Sequence, residues 1–100
     1  MLPTLLCVDD EPLILNSIER LFEDDFEVVK ATSGAQALQQ LKQQQIDVLI
    51  SDQRMPGMTG VELLEQAKTI SPATMRILLT GYADLGAVRA AVNAGEVFRY

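Results

Sequence analysis

The chain alternates short apolar runs of strand length with stretches in which apolar residues recur at helical spacing. Thr4–Val8 is an apolar run, and Leu13, Ile14, Ile18, Leu21 and Phe22 then mark a helix from Pro12 to Phe22. Pro12 suits a first helical turn, where its missing N–H costs nothing. Phe26–Ala31, carrying Val28 and Val29, predicts a second strand. Ser33 and Gln36 form a capping-box pattern ahead of Ala37, Leu38 and Leu41 on one face. Asp47–Ser51 predicts a third strand that stops at Asp52, and Pro56 and Gly57 make the residues after it a loop. Thr59 and Glu62 form a second capping box, with Val61, Leu64, Ala67 and Ile70 on one stripe until Ser71-Pro72. Arg76–Thr80 predicts a fourth strand. Asp84 caps a fourth helix with Leu85, Val88, Ala91 and Val92 inward, Gly95 closes it, and Val97–Tyr100 begins a fifth strand.

Strands interleaved with helices predict an α/β fold, a doubly wound parallel five-stranded sheet with helices on both faces. Continuous apolar strands agree, because strands of such sheets are buried on both sides. No linker or internal repeat is visible, so residues 1–100 form one domain. The last helix expected to cover the sheet is missing. That predicts exposed apolar surface around Leu5, Ile50 and Ile77, and a fragment that forms a homodimer, swaps segments or is poorly stable.

Composition narrows the chemistry. Hydrophobic residues make up 48% of the chain and aromatic ones only 5%, so the core is aliphatic. A net charge of −6 disfavours direct binding to nucleic acid or to an acidic membrane surface. There is no histidine, which removes His-dependent triads and most zinc sites. The single cysteine, Cys7, sits inside the first strand and reads as a small core residue. No apolar stretch approaches the ~20 residues of a membrane span. The N-terminus lacks the basic start of a signal peptide, so a cytoplasmic protein is expected.

Ligands of open parallel sheets bind at the carboxyl ends of the strands. Asp9-Asp10-Glu11 follows strand one, Asp52 follows strand three, and Thr80-Gly81 ends strand four. With the strand order 2-1-3-4-5, strands one and three are neighbours and the acidic groups converge. Taken singly, the Asp pair reads as a helix cap with a solvated charge, Asp52 as a turn former, and Thr80 as a strand-end threonine. Together the carboxylates repel one another unless a cation lies between them or one is protonated. A hard cation with oxygen ligands follows, magnesium being the natural choice because it leaves room for phosphate. A carboxylate beside such an ion can serve as a nucleophile and become an aspartyl-phosphate, with the Thr80 hydroxyl on a phosphoryl oxygen. The absence of a glycine-rich loop after strand one counts against nucleotide binding.

The chain resembles, from Leu5 to Tyr100, the receiver domain of two-component response regulators, a flavodoxin-like fold. The resemblance is carried by Val8-Asp9-Asp10-Glu11-Pro12, by Ile50-Ser51-Asp52-Gln53-Arg54-Met55-Pro56-Gly57-Met58-Thr59-Gly60 and by Leu78-Leu79-Thr80-Gly81-Tyr82. It implies that Asp52 takes a phosphoryl group from a phosphohistidine of a sensor histidine kinase or phosphotransfer protein. It implies magnesium ligated by Asp10, Asp52 and the backbone carbonyl of Arg54, with Asp9 acting through water. Thr80 would hold a phosphoryl oxygen, and Tyr100 would be the aromatic switch. The family's lysine falls beyond the chain end, and none of Lys30, Lys42 or Lys68 follows a strand's carboxyl end. Gly81 stands where many receivers have Ala or Ser. An effector domain is expected C-terminal to residue 100. Two other readings compete: an aspartyl-phosphate phosphatase, and a degenerate or truncated receiver serving only as a protein-interaction module. Against the first, its second Asp normally lies two residues after the nucleophile, whereas Asp9 and Asp10 are adjacent.

Overall fold

The computed structural model describes residues 1–79 and, as backbone, residues 98–99. The elements run β1 (Thr4–Val8), α1 (Pro12–Phe22), β2 (Glu27–Ala31), α2 (Gly34–Gln43), β3 (Val48–Asp52), α3 (Gly60–Ile70), β4 (Met75–Leu79) and β5 (Phe98–Arg99). All strand pairs are parallel, and the order is β2-β1-β3-β4-β5, as the alternating pattern predicts. The expected fourth helix, with Asp84 and Gly95, lies outside the described residues, as do Thr80 and Tyr100.

Alternation along each strand sorts the side chains onto two faces. Leu6, Val8, Leu49 and Leu78 pack with Ala37 and Leu41 of α2 and with Leu63, Leu64 and Ala67 of α3. Leu5 and Cys7 point the other way, under Leu15 of α1, with Ile18, Phe22, Val28, Val48 and Ile50 around them. Burial pushes the Cys7 thiol up to about 12, so it stays protonated and behaves as a small apolar residue.

Helix α1 departs from expectation. Leu13 and Leu21 are 79% and 74% exposed, and Ile14 is exposed too, while Leu15 is buried. Among the described residues α1 is the one helix over its side of the sheet, so a narrow stripe of Leu15, Ile18 and Phe22 suffices to seat it. On α3, likewise, Leu63 is fully buried and Val61 and Ile70 stand at the rim. Of the apolar surface expected on the α1 side, Leu5 is buried. Ile50 and Ile77 do line a groove of about 330 Å³, with Ile18, Leu21, Phe22 and Leu79.

Boundaries shift where local bonds compete with the strand. Phe26 is excluded from β2 because its N–H donates to Phe22 O (2.8 Å) and its ring meets that of Phe22 edge-on at 5.8 Å. β4 begins at Met75 because that residue pairs with Val48 and donates to Asp47 O. Asp47 itself stays outside β3, its carboxylate accepting from Thr4 N–H (2.8 Å). The capping box at Thr59 and Glu62 is complete. The one at Ser33 is half formed: its hydroxyl accepts from Gln36 N–H, but the Gln36 side chain turns to the N–H and hydroxyl of Thr32. Among the described residues no helix is long and apolar enough to cross a membrane.

Candidate functional site

The parallel pairing of β1 with β3 sets Val8 beside Ser51, which brings the residues that follow, Asp9 and Asp52, to the same rim of the sheet. Asp9, Asp10 and Asp52 each present a carboxylate oxygen, and these oxygens lie within 4.8 Å of one another. The three side chains sit at different depths: Asp9 is 7% exposed, Asp52 is half-buried and Asp10 faces solvent. Asp52 belongs to β3, paired with Leu79, where the sequence pattern ends the strand one residue earlier. It is therefore fixed by the sheet ladder, which positions a side chain more precisely than a loop does.

Asp9 is not a helix cap. Its N–H donates to Ala31 O (3.2 Å), continuing the ladder, and its Oδ1 accepts from Glu11 N–H (2.9 Å). This turn ends β1 and delivers the chain to Pro12, and the cap residue Glu11 makes no side-chain bond of its own. Burial lifts the Asp9 carboxyl above its ordinary 3.8; the Glu11 amide opposes this, and the charges of Asp52 and Asp10 add to it. Asp52 is lifted for the same leading reason, burial, opposed by the amides of Gln53 and Arg54 and reinforced by the charges of Asp10 and Glu11. Two carboxyls held above their usual range beside a third describe a concentrated anionic site, which a cation would relieve. An all-oxygen donor set of this size fits a hard divalent cation, not a thiophilic one.

The loop from Gln53 to Thr59 joins Asp52 at the end of β3 to the start of α3. Arg54, whose carbonyl is the expected third ligand, is an exposed residue of this loop, flanked by the buried Gln53 and Met55. Gly57 takes a positive φ of 83°, as the turn after Pro56 requires. Lys30 is engaged elsewhere: its ammonium contacts Glu19 (3.0 Å) and Asn16 (3.3 Å).

Two residues of the site have no role in the sequence motifs as read above. Gly60 opens α3 so close to β3 that an added Cβ would lie 2.4 Å from Asp52 O and 2.7 Å from Leu78 Cδ1. The sequence signal was a glycine directly after the Thr59 cap. Gln53 is buried and bonds three ways, and only its place between an apolar strand and a loop hinted at that.

With this geometry in view, the likeness to known proteins is informative. The chain is 36% identical over 97 residues to the hydrogenase transcriptional regulatory protein HoxA of Cupriavidus necator, covering 97% of this chain and 20% of that protein. It thus spans about a fifth of the length of that relative. A solved structure titled adenylate cyclase from Rhodopirellula baltica superposes with a TM-score of 0.93 at 41% identity, covering 99% of this chain and 74% of that one. A response regulator receiver domain protein from Clostridium thermocellum superposes at 0.89 with 37% identity, covering 98% and 82%. The model of the response regulator receiver domain matches residues 5–97, and the chain belongs to that family.

Proposed function

We propose that this domain is the phosphoacceptor input module of a two-component regulator and that Asp52 is the acceptor. The observation that carries the reading is the convergence of three carboxylates within 4.8 Å at the ends of β1 and β3. An Asp52 oxygen attacks the phosphorus of a phosphohistidine on a sensor histidine kinase or phosphotransfer protein. A P–O bond forms, the P–N bond breaks, and the electron pair stays with the imidazole nitrogen. Asp10, Asp52 and the Arg54 carbonyl would hold magnesium, with Asp9 acting through water; when bound, the ion would supply positive charge that offsets the carboxylates and the phosphoryl oxygens. Asp9, pinned by its bond from Glu11 N–H, keeps its carboxylate facing the site. Thr80 holds a phosphoryl oxygen, and Tyr100 turns in response. That shifts the population between two packings, which a partner reads.

The domain carries one phosphoryl group, turns over no substrate and works in the cytoplasm; that the chain spans about a fifth of the HoxA relative supports an output through an effector domain C-terminal to it. The test is labelling with acetyl phosphate, read by intact mass. Wild type gains one phosphoryl group only with Mg²⁺; Asp52→Asn gains none and Asp10→Asn gains far less. Labelling that persists in Asp52→Asn refutes the assignment. A wild type that binds Mg²⁺ yet is never labelled points instead to the interaction-module reading, and steady hydrolysis of a phosphate ester to a phosphatase.

A further inference from the structure

The start of α3 is tied to the end of β3 by one residue, Gln53. A helix leaves its first amides without intrahelical partners. Here the Gly60 N–H donates to the main-chain carbonyl of Gln53 (3.0 Å) and the Val61 N–H to its side-chain Oε1 (2.8 Å). The Glu62 N–H goes to the Thr59 hydroxyl (3.2 Å). Gln53 therefore takes two of these amides by itself. Its own N–H donates to Leu79 O (3.2 Å), adding one rung to the ladder between β3 and β4 beyond Asp52. Gln53 is 5% exposed, so these bonds are shielded from water. The same residue thus binds β4, α3 and, covalently, Asp52 on one side and Arg54 on the other.

We propose that Gln53 is a positioning residue for the cation and phosphoryl site, its side-chain carbonyl locking the 53–59 loop so that Asp52 and the Arg54 carbonyl keep their mutual geometry. A Gln is suited to the task because the acceptor must stand two methylenes out from the strand to reach the Val61 amide. With the bond removed, the half-buried Val61 amide loses its partner, and the loop can relax only by moving the residue next to Asp52. The inference rests on the reading of Asp52 and Arg54 as cation ligands. Groups that orient metal ligands typically change metal affinity 10–100-fold when altered, although they do not touch the ion.

The test is Mg²⁺ titration by isothermal calorimetry, at a temperature where circular dichroism shows every variant folded. Gln53→Met keeps the shape and removes the acceptor; Gln53→Asn, milder, keeps an amide that falls short of Val61. Both are expected to weaken Mg²⁺ binding about tenfold or more. Gln53→Glu, which restores an acceptor at the same reach, should recover most of it. Thr59→Ala removes the adjacent cap on the same helix and should leave the affinity at the wild-type value. If Gln53→Met and Gln53→Asn bind Mg²⁺ as wild type does, or if Thr59→Ala weakens binding equally, Gln53 is only a helix cap and the proposal is overturned. A wild type that binds no Mg²⁺ overturns the cation site itself and the positioning role with it.

Discussion

Asp9→Asn is expected to make the metal-free domain more stable while weakening its response to Mg²⁺. The substitution keeps the shape of the side chain and the oxygen that accepts the Glu11 N–H at 2.9 Å, and removes one charge from the cluster. Its size follows from the pairs Asp9 forms. The Asp9–Asp10 repulsion exists also in the unfolded chain, because the two are sequence neighbours, so it largely cancels on folding. The Asp9–Asp52 repulsion is created by folding, with oxygens no more than 4.8 Å apart. At that separation two unit charges interact by about 1 kcal/mol in bulk water and by about 3.5 kcal/mol at an effective dielectric constant near 20. The half-buried position of Asp52 lies between these limits, so a gain of ~1–3 kcal/mol is expected near neutral pH. Salt screens so short a contact weakly.

The assay is urea denaturation of wild type and Asp9→Asn in EDTA and in excess Mg²⁺. Ligand at about 100 times its Kd stabilises a folded protein by about 2.7 kcal/mol. Wild type should show such a gain and the variant a smaller one. The pH dependence has a definite sign. Asp9 and Asp52 bind protons more tightly in the folded state than at the unfolded value of 3.8, so between these values the native state holds the extra protons. Their contribution to stability is fully present below 3.8 and lost as the pH rises through the folded pKa values. Wild type should therefore lose stability relative to Asp9→Asn as pH increases across that window. Equal stability of the two proteins in EDTA at neutral pH, or equal Mg²⁺ gains, refutes the electrostatic account.

Two further substitutions probe the support of the site. Gly60→Ala places a Cβ 2.4 Å from the Asp52 carbonyl oxygen, well inside the 3.0 Å below which such contacts are essentially never found. Backbone must move, so urea melts should show a loss of ~1–3 kcal/mol, together with weaker Mg²⁺ binding. Thr59→Ala breaks the capping box by removing the acceptor of the Glu62 N–H, and thermal or urea melts should register a loss of ~0.5–2 kcal/mol.

Much of this architecture is legible along the chain because its causes are local. Strand-length apolar runs, helical spacing and the Thr59 box each depend on residues within a few positions, and they yield the observed elements to within a residue at the edges. The acidic residues could be assigned to strand ends for the same reason, and parallel topology then placed β1 beside β3. Helix α1 shows where local periodicity fails. Its apolar residues occupy more than one stripe, and the choice of Leu15 over Leu13 depends on what the helix lies against. The Gln36 side-chain oxygen likewise accepts from whichever donors are nearest, which proved to be the N–H and hydroxyl of Thr32.

Sequence alone determined the order of strands and helices, the aliphatic core, and the set of carboxylates brought to one rim. Tertiary structure decided that Asp9 lies deep while Asp10 faces water, that Gly60 must be bare beside Asp52, and that Gln53 joins β4 to α3. The division has one physical reason. Periodicity and capping are energies between near neighbours, whereas burial and desolvation depend on ångström-scale distances between segments that only folding brings together.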